Sequence, residues 1–137
     1  MLLFGGAIGS GVNQVPLGDT WAWDGAGWTE IFPAHAPQPR VDHCMVYDAQ
    51  GDRLLLFGGL GELDAGGRAA LPEELWRFIG DSTSGDWQVR PLAEIRPLPR
   101  LGAGMAAVPG LGIVLFGGRG RTTATPQNDL WILEPDR

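Results

Sequence analysis

Thiol, imidazole and phenol groups are scarce in this chain, which holds one cysteine, two histidines and one tyrosine among 137 residues. A lone thiol, Cys44, excludes an internal disulfide. With only His35 and His43 to join it, the chain lacks the convergent ligand set that most transition-metal sites require. No metal and no other cofactor is expected. Positive charge is also in short supply, with 10 Lys and Arg against 16 Asp and Glu and a formal net charge of −6. Binding to nucleic acid asks for a basic face, and no basic stripe exists here, so that partner is excluded. No apolar run approaches the roughly 20 residues of a membrane helix, so no membrane partner is expected either. The opening Met1-Leu2-Leu3-Phe4 passes straight into Gly-Gly without the basic segment and apolar core of a signal peptide. Nothing in the sequence assigns a compartment.

Glycine, proline and tryptophan are plentiful, at 22, 11 and 6 residues, and their order is informative. One phrase occurs three times, as Leu3-Phe4-Gly5-Gly6, Leu56-Phe57-Gly58-Gly59 and Leu115-Phe116-Gly117-Gly118. After each copy comes an acidic residue and a tryptophan-bearing strand: Asp19-Thr20-Trp21, Glu74-Leu75-Trp76 and Asp129-Leu130-Trp131. A second tryptophan follows in two copies, Trp28 matching Trp87, and then Pro37-Gln38-Pro39-Arg40 matches Pro97-Leu98-Pro99-Arg100. The period from Phe4 to Phe57 to Phe116 is 53 and then 59 residues. That range belongs to propeller blades and not to helical solenoids.

Each signal has a physical reason. The apolar runs Arg53–Phe57 and Ile113–Phe116 suit strands buried on both faces. Paired glycines at a strand end permit positive φ and close backbone approach. The tryptophans bring apolar area for holding one sheet to the next, and an indole N–H that needs a partner. Pro39 and Pro99 fit an extended crossing between sheets. Asp24-Gly25 predicts a hairpin turn. Asp19, Glu74 and Asp129 recur in register, which argues for a turn or strand-start role and against an acid–base pair.

Signals for chemistry are thin. Gly58-Gly59-Leu60-Gly61 and Gly117-Gly118-Arg119-Gly120 lack the Gly-Lys-Ser/Thr ending of a phosphate-binding loop. His43 reads as a hydrogen-bonded structural residue and Cys44 as a small buried one on the same strand.

These residues together resemble the kelch repeat, in the bacterial form whose pattern matches Asp19 to Thr29 and Tyr47 to Gly59. The resemblance covers essentially the whole chain. It implies an all-β fold, a segment of a kelch-type β-propeller built from antiparallel four-stranded blades in an incomplete ring. Residues 1–36 are expected to form a partial blade of three strands, 37–96 a complete blade, and 97–137 a second partial blade. Three blades do not close a ring, which predicts either a fragment of a longer protein or head-to-tail association, such as a homodimer. The family implies a binding or interaction scaffold for a protein, peptide or glycan ligand, with no catalysis of its own. The alternative is a fragment of a carbohydrate-active kelch enzyme, galactose-oxidase-like or sialic-acid-epimerase-like, whose catalytic residues lie outside this chain. No catalytic residue of those enzymes maps onto a position here.

In a meander the loops after each Phe-Gly-Gly and the Pro-x-Pro-Arg crossings open on one face, and variable loops on a rigid scaffold are a usual place for recognition. The candidate binding residues on that face are Arg40, Asp42, Glu62, Asp64, Arg68, Arg100, Arg119 and Arg121, with the neighbouring Thr122 to Thr125. Arg40 and Arg100 carry a second reading, because recurrence in register suits salt bridges to carboxylates such as Asp42 or Asp48.

Overall fold

The computed structural model describes residues 1–120 and 126–134, so Arg121 and Thr122 to Thr125 lie outside the described residues. Among the described residues, ten strands form three antiparallel sheets in chain order. The first holds β1 (Leu2–Ile8), β2 (Val15–Trp23) and β3 (Trp28–Ile31). The second is a four-stranded meander of β4 (Cys44–Asp48), β5 (Arg53–Phe57), β6 (Leu75–Gly80) and β7 (Gly85–Arg90). The third holds β8 (Gly104–Val108), β9 (Gly112–Phe116) and β10 (Leu130–Leu133). Among the described residues no sheet closes into a barrel.

Side-chain alternation on β5 explains how three sheets become one body. Leu56 points into a cluster with Phe4, Ala22, Ile31, Phe78 and Trp87, between the first and second sheets. Leu55 and Phe57 point the other way, to Leu75, Ile113 and Leu115, between the second and third. Both leucines are completely buried, each stabilising the fold by about 2 kcal/mol on area grounds. Trp87 is also fully buried; its ring meets Phe4 and Phe78 edge-on at 5.3 Å, and its indole Nε1 donates to Thr20 Oγ1 at 3.1 Å. One residue thus ties β7 of the second sheet to β1 and β2 of the first. Its counterpart Trp28 is 44% exposed, and its ring meets that of Trp23 across the hairpin at 5.5 Å and a tilt of 50°. The outer face of the third sheet exposes Phe116, Leu130 and Ile132.

The turns follow local chemistry. Asp24 Oδ1 accepts from the N–H groups of Ala26 and Gly27, and Gly25 takes φ 110°, which builds the expected hairpin. One expectation needs correction. The chain does not leave its strand at Gly5-Gly6: β1 runs through both glycines to Ile8, with a bulge between Phe4 and Gly6, and pairs with a β2 that starts at Val15. Only residues 9–14 separate these strands, so the ladder zips past the glycines. At Phe57 and Phe116 the following segments are longer and the strands stop.

Candidate functional site

The repeated glycines and arginines form one interlock. All six paired glycines take positive φ, 73° and 97° at Gly58 and Gly59. Gly59 N donates to the carbonyl of Arg100 at 2.9 Å, and a Cβ at Gly58 would overlap that same oxygen. The first copy repeats the contact, with Gly6 N donating to Arg40 O at 3.2 Å. Each arginine then turns its side chain into its own sheet. Arg40 Nη1 donates to Gly58 O at 3.0 Å and Arg100 Nη1 to Gly117 O at 2.9 Å, while their Nε atoms donate to Gln38 O and Leu98 O. Backbone and side chain of one residue therefore clamp consecutive sheets.

This geometry removes Arg40 and Arg100 from the candidate ligand surface: both are 1% exposed, and each guanidinium donates to two main-chain carbonyls. The salt-bridge reading holds for Arg100 with a different partner. Asp129 binds it through both oxygens, at 2.5 and 2.8 Å, and Asp129 Oδ2 also accepts from Trp131 Nε1 at 2.5 Å. The Arg100 guanidinium holds the Asp129 carboxyl far below the usual carboxylate range. Asp48 pairs with Arg53 at 2.9 Å instead. Arg40 has Glu74 where Arg100 has Asp129, and no hydrogen bond joins them. Burial pushes the Arg40 pKa down to about 10, with the Glu74 charge pulling the other way. Trp76 Nε1, the counterpart of Trp131 Nε1, is buried without a partner.

Of the other candidates, Asp42, Glu62, Asp64, Arg68 and Arg119 lie among the described residues, in the loops and crossings next to the glycine pairs. Bridges Val41–Leu60 and Leu101–Arg119 tie each Pro-x-Pro-Arg crossing to the loop after the glycines. The Arg119 side chain is exposed, and Arg119 exchanges two backbone hydrogen bonds with Leu101. Glu62 lines a groove of about 480 Å³ together with Gln14, Val15, Pro16, Leu60 and Leu63, between the loops of the first and second sheets. Asp42 is exposed beside Val41 and takes φ 54°, where the third sheet has Gly102 at φ 65°. Asp64 acts locally, its Oδ1 accepting from Gly66 N and Arg68 N at 2.9 Å to close the tip of its own loop. Arg68 is exposed at that tip, away from the groove lining.

His43 and Cys44 are half-buried, and the hydrogen bond expected of His43 is not met at its Nδ1, which is buried without a partner. His43 packs edge-on against Phe4 at 5.7 Å, and burial, helped by the Arg40 charge, lowers its pKa. Burial pushes the Cys44 thiol up to about 11. Sequence reasoning missed the opposite strand ends, where Met1, Leu2, Tyr47, Asp52, Arg53 and Asp81 help line a cavity of about 500 Å³. Tyr47 donates its hydroxyl to Asp52 Oδ1 there at 2.7 Å. The signal available was two acid-bearing turns in consecutive hairpins, Asp48 to Arg53 and Asp81 to Ser84. Among the described residues no group of His, Cys, Asp and Glu is placed to hold a metal ion. No model of a known protein family matches the chain, and no curated protein matches it.

Proposed function

We propose that the chain is a segment of a kelch-type β-propeller, its three sheets being consecutive blades, and that it serves as a binding scaffold without chemistry of its own. The observation that carries the binding role is the loop-end groove bounded by Gln14, Pro16, Leu60, Glu62 and Leu63. It combines apolar walls with a carboxylate at its rim, which suits a short peptide with a basic or hydroxyl-bearing side chain, or a glycan. The blade reading is supported by the same Gly-Gly to arginine interlock joining the first sheet to the second and the second to the third. The exposed faces around Trp28 and around Phe116, Leu130 and Ile132 would then stack further blades, from a longer chain or from a second copy. A non-catalytic role fits the half-buried Cys44 and His43, whose surroundings hold the thiol protonated and the imidazole neutral.

The test is selection of binders from a displayed peptide library against the immobilised chain, followed by mapping. Glu62→Arg and Leu63→Asp are expected to weaken selected binders by about tenfold or more, equivalent to about 1.4 kcal/mol. Tyr47→Ala, at the opposite strand ends, is expected to leave them unchanged. Binders insensitive to the groove substitutions, or lost on Tyr47→Ala, refute the assignment.

A further inference from the structure

We propose that the second sheet carries a binding socket for a small organic acid, in which the buried Arg40 guanidinium and the Trp76 indole N–H converge on the ligand's carboxylate. Neither side chain lines the loop-end groove, so the two sites are tested apart.

The third sheet shows what these two donors are shaped to hold. There the Asp129 carboxylate takes two guanidinium bonds from Arg100 and, through Oδ2, the indole N–H of Trp131. The second sheet places the same donors at the same register. Trp131 pairs with Leu115 and Trp76 with Leu56. Two residues beyond each leucine stands the glycine whose carbonyl takes the arginine Nη1, Gly117 for Arg100 and Gly58 for Arg40. Arg40 also repeats the Nε bond, donating to Gln38 O as Arg100 donates to Leu98 O. These anchors are main-chain oxygens, so the Arg40 guanidinium keeps its place without an acid in front of it.

The acid is what differs. Asp19 and Asp129 each accept from the indole two residues on, whereas Glu74, one methylene longer, is exposed and leaves Trp76 Nε1 buried without a partner. Arg40 is 1% exposed, and among the described residues no carboxylate is hydrogen-bonded to it. Burial pushes its pKa down to about 10 against the pull of the Glu74 charge. An unmade buried donor and a buried cation without a bonded counter-ion are both costly. One carboxylate relieves both, because its two oxygens match the guanidinium fork while one of them also takes the indole. A single-atom anion such as chloride lacks that span. The burial of both donors limits the ligand to an acid of the size of formate or acetate.

The probe is sodium formate, titrated at constant ionic strength into the isotope-labelled chain and read on the indole resonances by proton–nitrogen NMR. The Trp76 signal is the one lost in Trp76→Phe. The expected result is that this signal alone moves downfield and saturates at millimolar formate, and that formate raises Tm. Glu74→Asp supplies the carboxylate from the chain itself. Its Trp76 signal should stand downfield without formate, and its affinity for formate should fall about tenfold or more. A Trp76 signal that formate leaves in place, or that chloride moves as far in a parallel titration, overturns the proposal. A Glu74→Asp chain that binds formate as the parent does overturns it too. N-acetyl-trialanine, whose carboxylate is a peptide terminus, should bind about tenfold or more weakly than formate; equal binding would assign the socket to a peptide end and overturn the small-acid assignment.

Discussion

Replacing Glu74 with aspartate should make the protein more stable, although the substitution removes a methylene and adds none of the usual stabilising bulk. The second sheet carries the same Arg–acid–Trp constellation as the third, with one difference in length. In the third sheet Asp129 satisfies Trp131 Nε1 and grips Arg100 through both oxygens. In the second, Glu74 reaches neither: Trp76 Nε1 is buried without a partner, and Arg40 has its donors only on Gln38 O and Gly58 O. A shorter side chain at position 74 would bring the carboxylate back to where Asp129 has it. Satisfying a buried indole donor is worth about 1–2 kcal/mol. The ion pair with Arg40 adds less than its geometry suggests, because the Asp129 side chain is 35% exposed and solvent screens a pair of this kind. The expected gain is about 1–2 kcal/mol, which raises Tm by about 4–8 °C for a chain of this size.

Calorimetry or circular dichroism measures the shift, and a cycle identifies its origin. Trp76→Phe removes the N–H while keeping most of the ring, so Glu74→Asp in that background should lose most of its benefit. An unchanged or lowered Tm for Glu74→Asp in the parent chain refutes the reasoning. A gain that survives Trp76→Phe in full refutes the part assigned to the indole.

Gly58→Ala and Gly117→Ala share nearly the same φ, 73° and 70°, but only at Gly58 does the new Cβ collide with a carbonyl, that of Arg100, while Gly117 has Gln127 O at 3.6 Å. Urea melts should therefore show Gly58→Ala as the more destabilising by about 1–3 kcal/mol, and equal losses would remove the interlock from the explanation. Because Arg100 holds the folded-state pKa of Asp129 below its unfolded value, the pair stabilises fully above the unfolded carboxylate range, and its contribution is lost progressively as pH falls from that range down through the depressed folded-state value. Asp129→Asn should lower stability at neutral pH and flatten the acid limb of the stability curve, and acid limbs of equal slope would contradict the assignment. Cys44, with its thiol pushed up to about 11 by burial, should resist iodoacetamide at pH 8 in the native state and react on unfolding, as mass spectrometry reports. Fast native alkylation would mean that the second and third sheets part more readily than their shared core implies.

The order of strands was legible because each carries its own mark: an alternating apolar run, a glycine pair, or an acid two residues before a tryptophan. Those marks act through local backbone geometry, and local geometry survives without knowledge of neighbours. Arg40 and Arg100 show the limit. Their recurrence pointed correctly to a structural role, but the partner of Arg100 is set by the pairing of β9 with β10, which brings Asp129 across from a residue far away in sequence. Asp42 and Asp48 stand close to Arg40 in sequence, yet Asp48 is taken up by Arg53 and neither meets Arg100. Asp64 and Arg68 were singled out as charged loop residues, whereas the Asp64 side chain is occupied in closing its own turn.

Trp28 and Trp87 carry the point further, since equivalent positions in consecutive units end as a 44% exposed ring and a completely buried one. Nothing in either local sequence encodes that difference. It arises because Trp87 has Phe4 and Thr20 of another sheet against it, and Trp28 meets Trp23 of its own sheet. The same contrast separates Asp129 from Asp19, one saturated and one with an orphaned oxygen. A repeat sequence specifies what each unit offers to its neighbours, and the energy of the offer is realised only where a neighbour stands.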